Sequence, residues 1–380
     1  MTYPSVDALQ KALGKSIFQN RKDVKKAAGR ALGTIVELMA FYLLREWNLL
    51  PNLSIERGLA EFANDAITHN VEFGLHRIIA RERFSMPADL PLSVSKLVRV
   101  LGTTPKLAPF RNETDQANKT VQLLSSAGVV RNACTITDAR SGLIVVNLHD
   151  LTGSEAVIDI AKLRTQPFAM VECKRVGIEE GMKKGPTTIE KAKQGAYVAK
   201  HISALQKVRG RDGLLYGVVP KNDGTFEVRE LAEELRRLIY DAPTADLEGF
   251  ILTVGVVSNH GNWFTADNPN KELLVLRQSY DWLLFLTDAA ISEFVSDTLL
   301  SVDPRMTPVR DAFSASYASG ESGKNQFTKV RIELEAHSLL KAYFHDHIKR
   351  IEKEWFNVLS PAKGHVEHLK RDLRALAEKG

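Results

Sequence analysis

Cysteine is scarce. The two in 380 residues, Cys134 and Cys173, exclude a disulfide framework, and they do not have zinc-ligand spacing. Long apolar runs are missing too: Gly249 to Ser258 and Trp282 to Leu286 fall far short of the roughly 18 residues that a membrane span needs. The opening residues, Met1 to Asp7, lack the basic-then-apolar order of a secretory signal. There is no internal repeat and no low-complexity tract. Gly210, Gly213 and Gly217 form neither a phosphate loop nor a dinucleotide fingerprint. No nucleophile elbow precedes Ser258, His260 and Asp267, which argues against a hydrolase triad. The expectation is a cytoplasmic chain with no membrane partner.

What is present suffices for a folded core. Hydrophobic residues make up 44% of the chain, and its length suits one large domain or two to three smaller ones. The formal net charge is +5, a mild sign of an anionic partner. Its distribution says more. From Lys162 to Arg211 there are twelve Lys/Arg residues against four acids, Glu172, Glu179, Glu180 and Glu190. A surface that tracks phosphates needs such a local excess, and so does a solvated helix face.

Residues 6 to 130 read mainly as helix, most clearly Val24 to Trp47, with Asp115 to Ala127 as another. Short segments rich in Val, Ile, Thr and Phe follow: Ala133 to Thr137, Leu143 to Leu148, Val157 to Leu163 and Phe168 to Lys174. Turn residues separate them, including Arg164 to Pro167, so they read as an antiparallel meander. Thr187 to Val208 reads as helix, Leu214 to Pro220 and Phe250 to Val257 as buried strands, and Val228 to Tyr240 as an amphipathic crossover helix between them. Residues 271 to 300 and 328 to 380 return to helix. The expected class is α/β (α+β): a mixed central sheet in 131–265, flanked by helical regions 1–130 and 266–380, with one continuous large domain as the alternative.

The chemistry concentrates in Ala169-Met170-Val171-Glu172-Cys173-Lys174. Strand alternation puts Val171 and Cys173 on one face and Glu172 and Lys174 on the other. A charged pair in an apolar strand is costly without a purpose. Upstream, Asp159 interrupts the apolar run Ala156-Val157-Ile158-Asp159-Ile160. A turn at Arg164 to Gln166 lays that strand against the next and brings Asp159 to Glu172. Two such carboxylates make a hard-oxygen site for Mg²⁺, with Lys174 placed to hold a water or a phosphoryl oxygen.

Asp159, twelve intervening residues, then Glu172-Cys173-Lys174 resembles the signature of the PD-(D/E)XK nucleases. Ile158 stands where the nominal motif has proline, and the resemblance covers about 130 of 380 residues. It implies a restriction-endonuclease-like fold and Mg²⁺-dependent hydrolysis of double-stranded DNA. The size, with no helicase motif, looks most like a type II restriction endonuclease. That implies a homodimer on a short palindrome, with a cognate DNA methyltransferase in the same host. Asp159, Glu172 and Lys174 are then the catalytic set, and Asp159 and Glu172 the metal ligands. The alternatives are a repair or recombination nuclease of the same core that acts on structure, and a DNA-binding protein without catalysis.

Other residues fill secondary places. Asp150 reads as turn chemistry and Glu155 as a strand-end charge. Lys183 and Lys184 suggest a basic loop, and Lys193, Tyr197 and Lys200 share a helix face suited to phosphate contacts. Glu72, in a segment read as helical, is a candidate accessory acid, because some nucleases of this kind recruit an acid from an N-terminal helix. His345, His347, His365 and His368 read as solvated helix surface. Asn259, His260, Asn262 and Trp263 follow a core strand within reach of DNA.

Overall fold

Ala28, Ala31, Leu32, Ile35, Leu38 and Met39 recur at helical spacing and are buried, and Val24–Glu46 forms the helix that this spacing predicts (α2), after α1 (Val6–Ser16). Its segment Ala27–Glu46 is apolar and long enough to cross a membrane, a run not anticipated from the sequence; most of it is buried inside the protein. The reason is that α2 is a core helix. Its apolar residues share one cluster with Val171 and Cys173 of the central sheet. The computed structural model describes residues 6–18, 24–139, 142–175, 187–221, 223–258, 271–317, 326–361 and 364–379.

The fold is mixed α/β with a mixed central sheet, consistent with the α+β class. Two strands follow α2: β1 (Leu53–Glu61) and the long β2 (Asn64–Pro87). The reading of residues 6–130 as mainly helical is thus corrected. Val71, Phe73 and Leu75 alternate with polar residues, a two-residue period that marks strand. After β2 come β3 (Leu92–Ser93), α3 (Val94–Thr103), β4 (Gln122–Leu124) and β5 (Val129–Arg131), where Asp115 to Ala127 had read as helix. Then β6 (Cys134–Ala139), β7 (Gly142–Thr152) and β8 (Glu155–Arg175) run as an antiparallel set.

The most consequential difference lies in β8. The expected turn at Arg164 to Gln166 does not form, and one strand runs through it. Bulges against β2 absorb the irregularity, with Pro167 at a register shift opposite His76. Side chains satisfy the carbonyls there: Arg57 Nη1 donates to Thr165 O at 2.8 Å, and His76 Nδ1 lies 2.8 Å from Arg164 O.

Beyond β8 lie α4 (Thr187–His201), β9 (Gln206–Arg209), β10 (Leu215–Pro220), β11 (Phe226–Glu230), α5 (Leu231–Arg236) and β12 (Leu252–Ser258). β9, β10 and β11 form a separate small sheet, so no crossover joins β10 to β12. β12 instead runs parallel to β8, across α4. The C-terminal part alternates helices with strands: α6 (Lys271–Ser279), β13 (Trp282–Leu286), α7 (Asp288–Asp297), α8 (Thr307–Ser316), β14 (Arg331–Glu333), α9 (Leu334–Glu354), β15 (Phe356–Ser360) and α10 (Val366–Glu378). The central sheet has the order β1-β2-β8-β12-β13-β15, with β7 and β6 flanking the first half of β8. One apolar cluster runs from Leu9 to Leu376 and crosses both boundaries expected near 130 and 265. α2 covers one face of the sheet. α4 covers the other, through Ala196 and Ala199 against Met170.

Candidate active site

The β2–β8 ladder ends at Phe73↔Val171, whereas the β8–β12 ladder continues to Arg175. The two strands therefore part beyond Val171, and each loses a backbone partner. Side-chain carboxylates replace the missing ladder bonds. Cys173 N donates to Glu72 Oε2 at 2.7 Å, and Glu72 N donates to Glu172 Oε2 at 3.2 Å. The remaining oxygens of both acids face one ammonium: Lys174 Nζ lies 2.6 Å from Glu172 Oε1 and 3.4 Å from Glu72 Oε1.

A second lysine enters from the C-terminal part. Lys329 Nζ lies 3.1 Å from Glu37 Oε2 on α2, 3.4 Å from Glu56 Oε1 on β1 and 3.9 Å from Glu72 Oε1. The result is a row, Glu37–Lys329–Glu72–Lys174–Glu172, in which acids outnumber cations. The imbalance has an electrostatic signature. Burial first, then repulsion from Glu172, pushes the Glu72 carboxyl up to about 7, with Lys329 and Lys174 opposing. Burial alone would lower the Lys174 and Lys329 ammonium groups, but the surrounding carboxylates hold both above the ordinary lysine value.

The α4 side of the site is closed by small residues. A Cβ at Gly195 would stand 2.8 Å from the Tyr280 hydroxyl, 3.0 Å from Glu172 Cγ and 3.3 Å from Lys174 Cε. Tyr280 is buried, and its ring lies against Gly255 of β12, where a Cβ would come within 2.7 Å of it. Only glycine at 195 and 255 lets α4 and this ring approach Glu172 so closely.

Of the residues singled out from sequence, Glu172, Lys174 and Glu72 are brought together. Asp159 is not. It lies thirteen residues back along the same strand, on the order of 40 Å at the usual rise. There Arg83 Nε donates to its Oδ1 and Arg83 Nη2 to its Oδ2, each at 3.0 Å, with Arg81 Nη2 at 3.4 Å and His149 Nδ1 at 3.6 Å from Oδ2. Burial works against the Asp159 carboxylate, but Arg83, Arg81 and His149 hold it below the ordinary aspartate value. Its pairing with Glu172 is therefore corrected. Glu72 is likewise on a strand rather than a helix, and the acid supplied by a helix is Glu37.

Asp150 binds its own neighbours, accepting from Leu151 N at 2.8 Å and Thr152 Oγ1 at 3.2 Å, and Glu155 is exposed. Tyr197 and Lys200 are exposed on α4, and the Tyr197 ring stacks on His201 with centroids 4.1 Å apart. Lys193 falls on α4, but its side chain lies outside the described residues, as do Lys183, Lys184, Asn259, His260, Asn262 and Trp263. His345 pairs with Glu46 at 3.2 Å and the His365 and His368 rings are 6.2 Å apart. Among the described residues no group of three or more His, Cys, Asp or Glu side chains is set to hold a metal.

Sequence reasoning missed Glu37, Glu56, Lys329 and Tyr280. Glu37 left a trace, a lone acid in the apolar run Ile35-Val36-Glu37-Leu38-Met39. Nothing in the sequence connects Lys329 to Glu72. A cleft of about 1000 Å³ lies elsewhere, between the β1–β2 hairpin, the β8 bulge and the β10–β11 hairpin, and none of Glu72, Glu172 and Lys174 lines it. Comparison of the chain with protein-family models, with curated proteins and with solved structures finds no match in any of the three.

Proposed function

We propose that the chain is a Mg²⁺-dependent endonuclease of double-stranded DNA, a type II restriction endonuclease with a restriction-endonuclease-like core. The observation that carries the reading is the meeting of Glu72, Glu172 and Lys174 where β2 and β8 part. The sequence order of β2, β8, α4, β12 and β13 supports it: adjacent antiparallel strands carrying the acids, a helix, then two more strands of the same sheet. This is the arrangement that the PD-(D/E)XK resemblance implies, with Glu72 rather than Asp159 as the upstream acid.

The donor set fits a hard divalent cation. It offers carboxylate oxygens, and the three acids of the row face only two ammonium groups. Glu72 and Glu172 would hold the ion. When bound, Mg²⁺ polarises a phosphodiester and acidifies a water. The chain's own residues do the rest. Cys173 N–H and Glu72 N–H fix the inner carboxylate oxygens and leave the outer ones facing the Lys174 ammonium. Lys174 is 25% exposed, so its ammonium can turn from Glu172 toward a water or a phosphoryl oxygen as charge builds there. The exposed face of α4, with Tyr197 and Lys200, flanks the site as a phosphate-contacting surface.

The expected enzyme is a cytoplasmic homodimer, accompanied in its host by a cognate methyltransferase. The test is incubation of the purified chain with phage DNA. Discrete fragments should appear with Mg²⁺ or Mn²⁺ and vanish in EDTA. Ca²⁺ should allow binding with little cutting. Fragments that form fully in excess chelator would refute the reading.

A further inference from the structure

We propose that Lys329 is a built-in counter-ion that fills the second cation position of the acid row, so that the site takes one divalent ion, held by Glu72 and Glu172. The inference rests on the reading of the site as metal-dependent and concerns how many ions it holds. The two lysines of the row differ in freedom. The Lys174 side chain is 25% exposed and can leave the carboxylates when a cation arrives. The Lys329 side chain is 5% exposed and has nowhere to go.

Three features fix it there. Asn132 clamps its segment, donating from Nδ2 to Lys329 O at 3.0 Å and from its backbone N to Val330 O at 2.9 Å. The ammonium lies 5.7 Å from the centroid of the Phe73 ring. Glu56, between the paired positions Ile55↔Phe73 and Arg57↔Val71, takes φ 54, a left-handed conformation that costs a non-glycine residue energy. Its carboxylate nonetheless stands 3.4 Å from Lys329 Nζ. Lys329 also stands 3.9 Å from Glu72 Oε1, the oxygen that Lys174 faces, but its closest partners are Glu37 and Glu56, which are thus already served by a fixed positive charge. A second divalent ion at those oxygens would have to share them with an ammonium that cannot withdraw. Between Glu72 and Glu172 the cation in place is the movable one.

The experiment counts Mn²⁺ bound to the full chain without DNA, by titration calorimetry and by the loss of the free-ion electron paramagnetic resonance signal. The wild type should bind one ion per chain. Lys329→Gln should bind two, and Lys329→Arg one. Two ions on the wild type, or one on folded Lys329→Gln, would overturn the assignment while leaving metal-dependent cleavage standing. No ion on the wild type would overturn both. Glu37→Gln decides the matter if Lys329→Gln does not fold: the count should stay at one, and its loss would show that Glu37 holds the ion and Lys329 does not replace one.

Discussion

Replacing Glu72 with glutamine should change how stability depends on pH. In the folded protein this carboxyl titrates near 7, against an ordinary value of 4.5. Between those values the folded state keeps a proton that the unfolded chain has released. Stability therefore falls as pH rises through this window, and the penalty is complete above pH 7. The gap between 4.5 and about 7, at about 1.4 kcal/mol per pH unit, sets that penalty on the order of 3 kcal/mol. Glutamine carries no such term, and its amide oxygen can still accept from Cys173 N. In urea unfolding with EDTA at constant ionic strength, wild type and Glu72→Gln should be compared at pH 5, 6, 7 and 8. Titrating groups outside the row cancel in the difference. The difference should move by about 3 kcal/mol in favour of glutamine between pH 5 and 8. At pH 8, Mg²⁺ should stabilise the wild type and leave the variant unchanged. A difference that is flat with pH would refute the electrostatic account of the row.

Two further expectations concern the frame around the site. Gly255→Ala places a methyl group within 2.7 Å of the buried Tyr280 ring, so it should destabilise the protein by about 1–3 kcal/mol in denaturant titrations. Asp281 accepts from Lys207 Nζ at 2.7 Å, from Thr253 N at 2.7 Å and from Thr253 Oγ1 at 2.8 Å, with both ionic side chains buried. Asp281→Ala should strand the Lys207 ammonium and cost about 3–5 kcal/mol, measured the same way.

The Glu172–Lys174 pair was legible because strand alternation is local, and two charges on one face of an apolar strand stand out. α2 was legible for the same reason. The upstream acid was not. Arg164 to Pro167 has turn composition, and only tertiary partners, Arg57 and His76, make it strand by taking its carbonyls. With a turn there, Asp159 would meet Glu172; with a bulged strand it goes to Arg83. Glu72 was in view but misplaced, because Val71 and Leu75 fit helical spacing as well as the strand period of Val71, Phe73 and Leu75. Lys329 reaches Glu72 from more than 250 residues away in sequence, and no local pattern encodes such a contact. The basic stretch after β8 was legible as charge alone, and the exposed Lys200 and Tyr197 agree with a solvated face as well as with a phosphate-contacting one.

The central claim is that Glu72, Glu172 and Lys174 act together and Asp159 does not act with them. One gel tests it: wild type, Glu172→Gln, Lys174→Met and Asp159→Asn on the same phage DNA with Mg²⁺, with binding checked in parallel in Ca²⁺. Wild type and Asp159→Asn should give the same fragments at similar rates. Glu172→Gln and Lys174→Met should cut roughly 10²–10³-fold more slowly, with Lys174→Met still binding the DNA. The account is contradicted if Asp159→Asn is inactive while Lys174→Met cuts normally, or if the wild type cuts no DNA with either Mg²⁺ or Mn²⁺.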